Sequence, residues 1–167
     1  MKNSVKEPLT VNLWFEKDAE EAAKFYTSIF SDGEILGTFR YGKEGQEIHG
    51  MPEGALMTIE FMAHGTKFVG LNGGPLFKFN ESVSFIIKCE DQEEVDYYWN
   101  KLGEGGNPES KQCGWLKDKY GVSWQVVPKV LYKLLSDSDK TKTGKMMNAL
   151  LEMEKLDIAK LEEAFNS

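Results

Sequence analysis

The chain has 167 residues, with 20 Lys+Arg against 27 Asp+Glu and a formal net charge of −7. That length suits one domain or two small fused modules, and 41% hydrophobic with 28% charged residues is ordinary globular composition rather than disorder. The acidic balance argues against nonspecific binding to nucleic acid or anionic membranes, and no apolar run nears the roughly 18–20 residues of a membrane span. The opening stretch Met1-Lys2-Asn3-Ser4-Val5-Lys6-Glu7-Pro8 lacks the apolar core of a secretory leader. Cys89 and Cys113 are too few and too far apart for a disulfide framework or a Cys-x-x-Cys zinc site. A soluble, cytoplasmic protein is the expectation, with no nucleic-acid or membrane partner.

The first strand signal is Val11-Asn12-Leu13-Trp14-Phe15, rich in β-branched and aromatic residues. Asp18 then reads as a helix N-cap with Glu21 three residues on, followed by apolar Ala22, Phe25, Tyr26 and Ile29 on one stripe. Three strand-like runs follow, Glu34 to Tyr41, Ala55 to Met62 and Thr66 to Leu71. His64-Gly65 forms a tight turn at positive φ between the last two. The long stretch from Gly42 to Gly54 is either a lid or a solvated loop. Asn72-Gly73-Gly74-Pro75 is a turn, since it lacks the following helix and the glycine spacing of a phosphate loop.

The pattern then starts again. Val83 to Cys89 reads as a strand, and Asp91-Gln92-Glu93-Glu94-Val95-Asp96-Tyr97-Tyr98-Trp99 repeats the cap and stripe of Asp18 to Tyr26 at one offset, with Val95, Tyr98, Trp99 and Leu102 apolar. Shorter strand-like runs follow at Lys111 to Cys113, Gly114 to Lys117 and Val122 to Val127. Strand–helix–strand–strand–strand therefore occurs twice. Beyond Pro128, Val130, Leu131, Leu134 and Leu135 form one helical stripe, Met146, Met147, Leu150, Leu151 and Met153 another, and Asp157 caps a last helix carrying Ile158, Leu161 and Phe165. These helices pack on the core or on a second subunit. The divisions are a first module at 9–72, a linker at 73–81, a second module at 82–128 and a helical extension at 129–167.

Within this duplicated β-α-β-β-β order, several stretches carry a family resemblance. They are Leu13-Trp14-Phe15, Ala19-Glu20-Glu21-Ala22, Phe25-Tyr26, Leu71-Asn72-Gly73-Gly74-Pro75, Cys113-Gly114-Trp115-Leu116-Lys117-Asp118, Gly121-Val122-Ser123-Trp124-Gln125 and Leu156-Asp157-Ile158. The chain resembles the PhnB-like branch of the vicinal oxygen chelate superfamily, which includes glyoxalase I, extradiol dioxygenases and bleomycin-resistance proteins. That branch is often labelled demethylubiquinone methyltransferase. The resemblance implies an α+β fold in which two paired modules form a curved eight-stranded mixed sheet around a cavity, and it implies a homodimer.

Metal-dependent members of the superfamily hold a divalent ion on the first and last strands of each module, with His, Gln or Glu ligands. Carried over, those positions fall on Asn12, on Val69 or Leu71, on Ser84 and on Gln125. None is an imidazole or a carboxylate, so no metal and no cofactor is expected. Neutral polar groups on an apolar concave surface instead suit a small organic ligand, lined by Asn12, Trp14, Ser84 and Gln125 with Phe77 and Phe79 as aromatic wall. Asn12 and Gln125 can equally bond each other or a buried water, and Ser84 can be a small filler. Alternation from Gln125 turns Trp124 toward the helix layer.

The expected function is a metal-independent small-molecule-binding protein. The alternative is a lyase, isomerase or oxygenase of the same superfamily, using a relocated metal or His49, the imidazole open to acid–base work. Cys113 is either a nucleophile activated by Lys111 and Lys117 or a small inert residue. A Rossmann-type methyltransferase is not supported, because no glycine-rich nucleotide fingerprint follows any strand.

Overall fold

The computed structural model describes residues 8–167, so the leader-free reading of the first residues lies outside what is described. The chain is α+β and divides into two compact units between Lys78 and Phe79. Among the described residues, no helix is long and apolar enough to cross a membrane.

The first unit runs β1 (Val11–Phe15), α1 (Ala19–Ile29), β2 (Glu34–Arg40), α2 (Gln46–His49), β3 (Leu56–Ala63) and β4 (Thr66–Asn72). Its four strands lie in the order β1-β4-β3-β2, with β1 parallel to β4 and the other pairs antiparallel. Leu13 and Phe15 point into the core from β1, and α1 buries Ala19, Ala22, Ala23, Tyr26 and Ile29. Phe25, expected on that stripe, is only half-buried at its flank. Tyr26, Phe61 and Phe68 stack in sequence, with ring centroids 5.9 and 5.3 Å apart.

The cap of α1 differs from expectation. Asp18 makes no side-chain cap bond. Asn72, at the end of β4, accepts from the Ala19 amide instead (2.9 Å) and donates to the Leu56 carbonyl (3.2 Å). The stretch between β2 and β3 also holds the short helix α2, bounded by Gly45 and Gly50 in the left-handed region.

His64 and Gly65 both take positive φ (50° and 71°) in the two-residue turn between β3 and β4. The Asp32 carboxylate receives both turn amides, His64 N–H at 2.8 Å and Gly65 N–H at 2.5 Å. Partial burial pushes the Asp32 carboxyl upward, but the bonds from Gly65 and His64 together outweigh it and hold the group below its ordinary value. A depressed folded-state carboxyl stabilises the protein above its unfolded pKa, and that contribution fades as pH falls through the folded value. Asp32→Asn is therefore expected to cost about 1 kcal/mol at neutral pH, modest because the group is exposed. It should also flatten the loss of stability below about pH 4, and urea unfolding of both proteins across that range is the check.

The second unit contains β5 (Phe85–Cys89), α3 (Gln92–Gly103), β6 (Trp115–Lys117), β7 (Ser123–Pro128), α4 (Lys129–Leu135), α5 (Lys140–Leu151) and α6 (Ile158–Asn166). The sheet order is β5-β7-β6, with β5 parallel and β6 antiparallel to β7. This unit has three strands, not four, so the structure shows two mixed sheets of four and three strands. The run expected as a strand at Lys111 to Cys113 is instead one arm of a tight turn. Cys113 and Gly114 both have positive φ (52° and 83°), Gln112 and Trp115 form an isolated bridge, and residues 108–110 make a 3-10 turn. The left-handed backbone at Cys113 and Gly114 turns the chain before a ladder can form. The turn amides bond elsewhere, Cys113 N–H to Met153 O (2.7 Å) and Gly114 N–H to Glu154 O (2.8 Å).

The Asp91 cap of α3 is as expected: its carboxylate accepts from Glu94 N–H (3.0 Å), and Glu94 reaches back to Glu90 N–H (2.8 Å). Asp157 likewise caps α6 through Lys160 N–H (3.1 Å). The C-terminal helices pack within their own unit, where Val127, Leu131, Met146, Leu150, Leu156, Leu161 and Phe165 form one buried cluster. Leu135 and Leu151 stay exposed.

Candidate functional site

On β7, residues alternate between two faces. Trp124 and Val126 join Leu116 and Ile87 in the core under α3, as alternation from Gln125 requires. The opposite face carries Ser84, just before β5, together with Ser123 and Gln125. Gln125 Nε2 donates to Ser84 Oγ at 2.8 Å, and both residues are half-buried. Gln125 thus keeps its carboxamide oxygen as an acceptor, and Ser84 keeps its hydroxyl hydrogen as a donor. Trp115, paired with Gln125 across the ladder, is also half-buried.

Ser123 was not singled out from the sequence, where a lone serine beside tryptophan carries no signal. It is 2% exposed, and its hydroxyl has no hydrogen-bond partner among the described residues. A buried hydroxyl without a partner destabilises by about 1–3 kcal/mol. Ser123→Ala is therefore expected to raise the melting temperature by about 2–4 °C. A fall instead would mean that the hydroxyl bonds a buried water in solution, and differential scanning calorimetry distinguishes the two.

In the first unit, Trp14 and Phe77 come together edge-to-face, with centroids 5.0 Å apart at 79°. The Trp14 indole donates to Gly74 O (2.9 Å), and the absence of a side chain at Gly73 makes room for its ring. The Asn72-to-Pro75 motif is thereby a seat for Trp14. Asn12 is exposed on β1 beside Val69, while Phe77 is 58% exposed and Phe79 half-buried.

His49 is committed to the backbone of its own loop. Its Nδ1 accepts from Met51 N–H (3.0 Å), which leaves Nε2 as the donor to Glu44 O (3.1 Å), and the ring lies 4.5 Å from that of Tyr41. With both nitrogens engaged, the imidazole fastens the loop and offers no free base. Burial, assisted by the Glu94 and Asp91 carboxylates, pushes the Cys89 thiol up to about 12, so it stays protonated and inert. Cys113 packs against the C-terminal cluster, with its sulfur 3.9 Å from Leu151 O.

The fold implies a divalent metal, and the donor set does not fit one. An amide, an aliphatic side chain, a hydroxyl and an amide occupy the implied positions, and two of these groups already bond each other. Among the described residues, no group of three or more His, Cys, Asp or Glu could hold a metal ion. A cleft of about 400 Å³ lies beside the first turns of α3 and α6, lined by Glu90, Asp91, Asp157 and Glu162. Its carboxylates are partly spent on caps and on the Lys129–Glu90 ion pair.

Residues 7–127 match the family model described as 3-demethylubiquinone-9 3-methyltransferase. The PhnB protein of Bacillus cereus is 36% identical over 73% of this chain and 99% of its own, with a TM-score of 0.60. The chain belongs to this family, the PhnB-like branch of the vicinal oxygen chelate superfamily. More distant neighbours share the fold alone. PA1353 from Pseudomonas aeruginosa is 17% identical, covering 73% of this chain and 97% of its own, at TM-score 0.55. The fosfomycin resistance protein FosX of Mesorhizobium loti is 12% identical, covering 80% and 99%, at TM-score 0.53. No curated protein matches the chain.

Proposed function

We propose that this PhnB-like protein binds a small organic molecule without a metal, in the manner of the glyoxalase/bleomycin-resistance type. The observation that carries the reading is the 2.8 Å bond between Gln125 and Ser84, a neutral pair at two positions where the superfamily's metal-dependent members place ligands. One free acceptor on β7 and one free donor just before β5, held side by side, suit an uncharged polar group of a ligand. Phe79, half-buried in the same unit as Ser84 and Gln125, is proposed as an aromatic contact for that ligand. A Rossmann-type methyltransferase is disfavoured, because the chain lacks a glycine-rich nucleotide loop and its sheets are not doubly wound.

The test is a panel of small aromatic and glycopeptide compounds scored by rise in melting temperature. Gln125→Ala is expected to weaken any compound that scores by about tenfold. An unchanged shift in that variant removes Gln125 from the site. Stoichiometric transition metal in protein purified without chelator would overturn the metal-independent reading.

A further inference from the structure

Across the second sheet, Lys117 on β6 pairs with Ser123 on β7, and Ser84 stands level with them, one residue before the Phe85–Trp124 pair. The register puts all three on the face that carries Gln125. Neighbouring strands lie about 4.8 Å apart, so this row spans about 10 Å, with the partnerless hydroxyl of Ser123 in its middle. At one end Ser84 is bonded to Gln125, and at the other the Lys117 ammonium is bonded to the Glu81 carboxylate. The Lys117 side chain is only 22% exposed, whereas that of Glu81 is 64% exposed, between exposed Asn80 and Ser82. Glu81 comes shortly before Ser84 in the chain, so one surface segment is tied to both ends of the row.

Resting on the ligand reading above, we infer that the molecule held by Gln125 and Ser84 is a carboxylate, and that Glu81 keeps the place of its anionic end at Lys117. Ion pairs with an exposed partner hold weakly, so a carboxylate that also bonds the Gln125–Ser84 pair displaces Glu81, which returns to water. Its departure breaks one ion pair at the surface and opens the row from the Lys117 end. The bound carboxylate then accepts from the Lys117 ammonium and from the Ser123 hydroxyl, a donor otherwise left without an acceptor. An uncharged polar group further along the same molecule reaches Gln125 and Ser84. Charge selects the class: Lys117 supplies one positive charge, and Arg40, the chain's single arginine, belongs to the first unit. A monoanion is matched by one ammonium, whereas a phosphate dianion calls for a second cation or a guanidinium fork.

The experiment titrates the isotope-labelled full chain with acetate, the anion probe, and follows the Lys117 and Ser123 signals by NMR. Glu81→Gln removes the resident carboxylate and is expected to bind acetate about fivefold more tightly than wild type. Lys117→Met, added to that variant, should weaken acetate at least about tenfold, and Lys117→Arg should retain it. Small aromatic carboxylates are then compared with their carboxamides, which match them in shape without the charge. The carboxylates are expected to bind wild type about tenfold more tightly, a preference that Lys117→Met erases. Acetate that leaves Glu81→Gln unperturbed, or binds equally without Lys117, overturns the inference. Carboxamides that bind as tightly as carboxylates also overturn it and leave the ligand reading standing. Carboxylate binding that needs Lys117 but is unchanged in Gln125→Ala overturns the ligand reading and leaves the anion seat at Lys117.

Discussion

Asp118→Ala is expected to cost about 3–5 kcal/mol and to lower the melting temperature by about 10 °C or more. Asp118 is 2% exposed, and its carboxylate closes the turn that launches β7. One oxygen accepts from Tyr120 N–H (2.9 Å) and Val122 N–H (3.0 Å), the other from the Trp124 indole (2.8 Å). Alanine removes the acceptor of three donors, two of them on buried residues. Asp118→Asn should recover little, because a carboxamide has one oxygen and its NH₂ would meet the indole N–H. Urea unfolding of the two variants checks this: an asparagine variant near wild-type stability would show that the indole bond is dispensable. Because β7 carries Gln125, the same variants should weaken any ligand that the Gln125–Ser84 pair holds.

The second large effect is expected at Asn72. Asn72→Ala removes the acceptor for Ala19 N–H and the donor for Leu56 O, and should cost about 2–4 kcal/mol. Asp18→Ala, by contrast, should cost little, since Asp18 makes no cap bond. Chemical denaturation of the pair reads the contrast directly, and comparable losses in both variants would return the cap to Asp18.

That contrast also shows what the sequence made legible. Signals confined to a few neighbouring residues carried through: the His64-Gly65 turn, the Asp91 and Asp157 caps, and the buried stripes of α1 and α3. Where a group's partner is remote, local pattern misled. The α1 cap comes from a residue 53 positions away, and Asp18 has the same local pattern as Asp91 without its geometry. The strand expected at Lys111 to Cys113 failed because Cys113 and Gly114 adopt left-handed backbone, which residue type alone left open. Helix α2 is a single turn held between glycines and by the backbone bonds of His49, too short to show periodicity. For the proposed site, the family resemblance nominated Ser84 and Gln125, whereas the bond between them and the solitary hydroxyl of Ser123 are facts of packing.

The placement of Asn72 has a consequence for how the first unit comes into being. Among the described residues, strand β1 pairs only with β4, and α1 receives its cap from the last residue of β4. Strand β1 and helix α1 therefore wait for β4, made after them, before either is secured. Closing so long a loop ahead of its rewards slows folding and leaves no stable halfway state. In the second unit α3 carries its own cap in Asp91, and its first turn can hold as soon as it is made. Two segments that read as copies of one motif thus enter their folds by different routes, one waiting on a distant strand and the other beginning on its own.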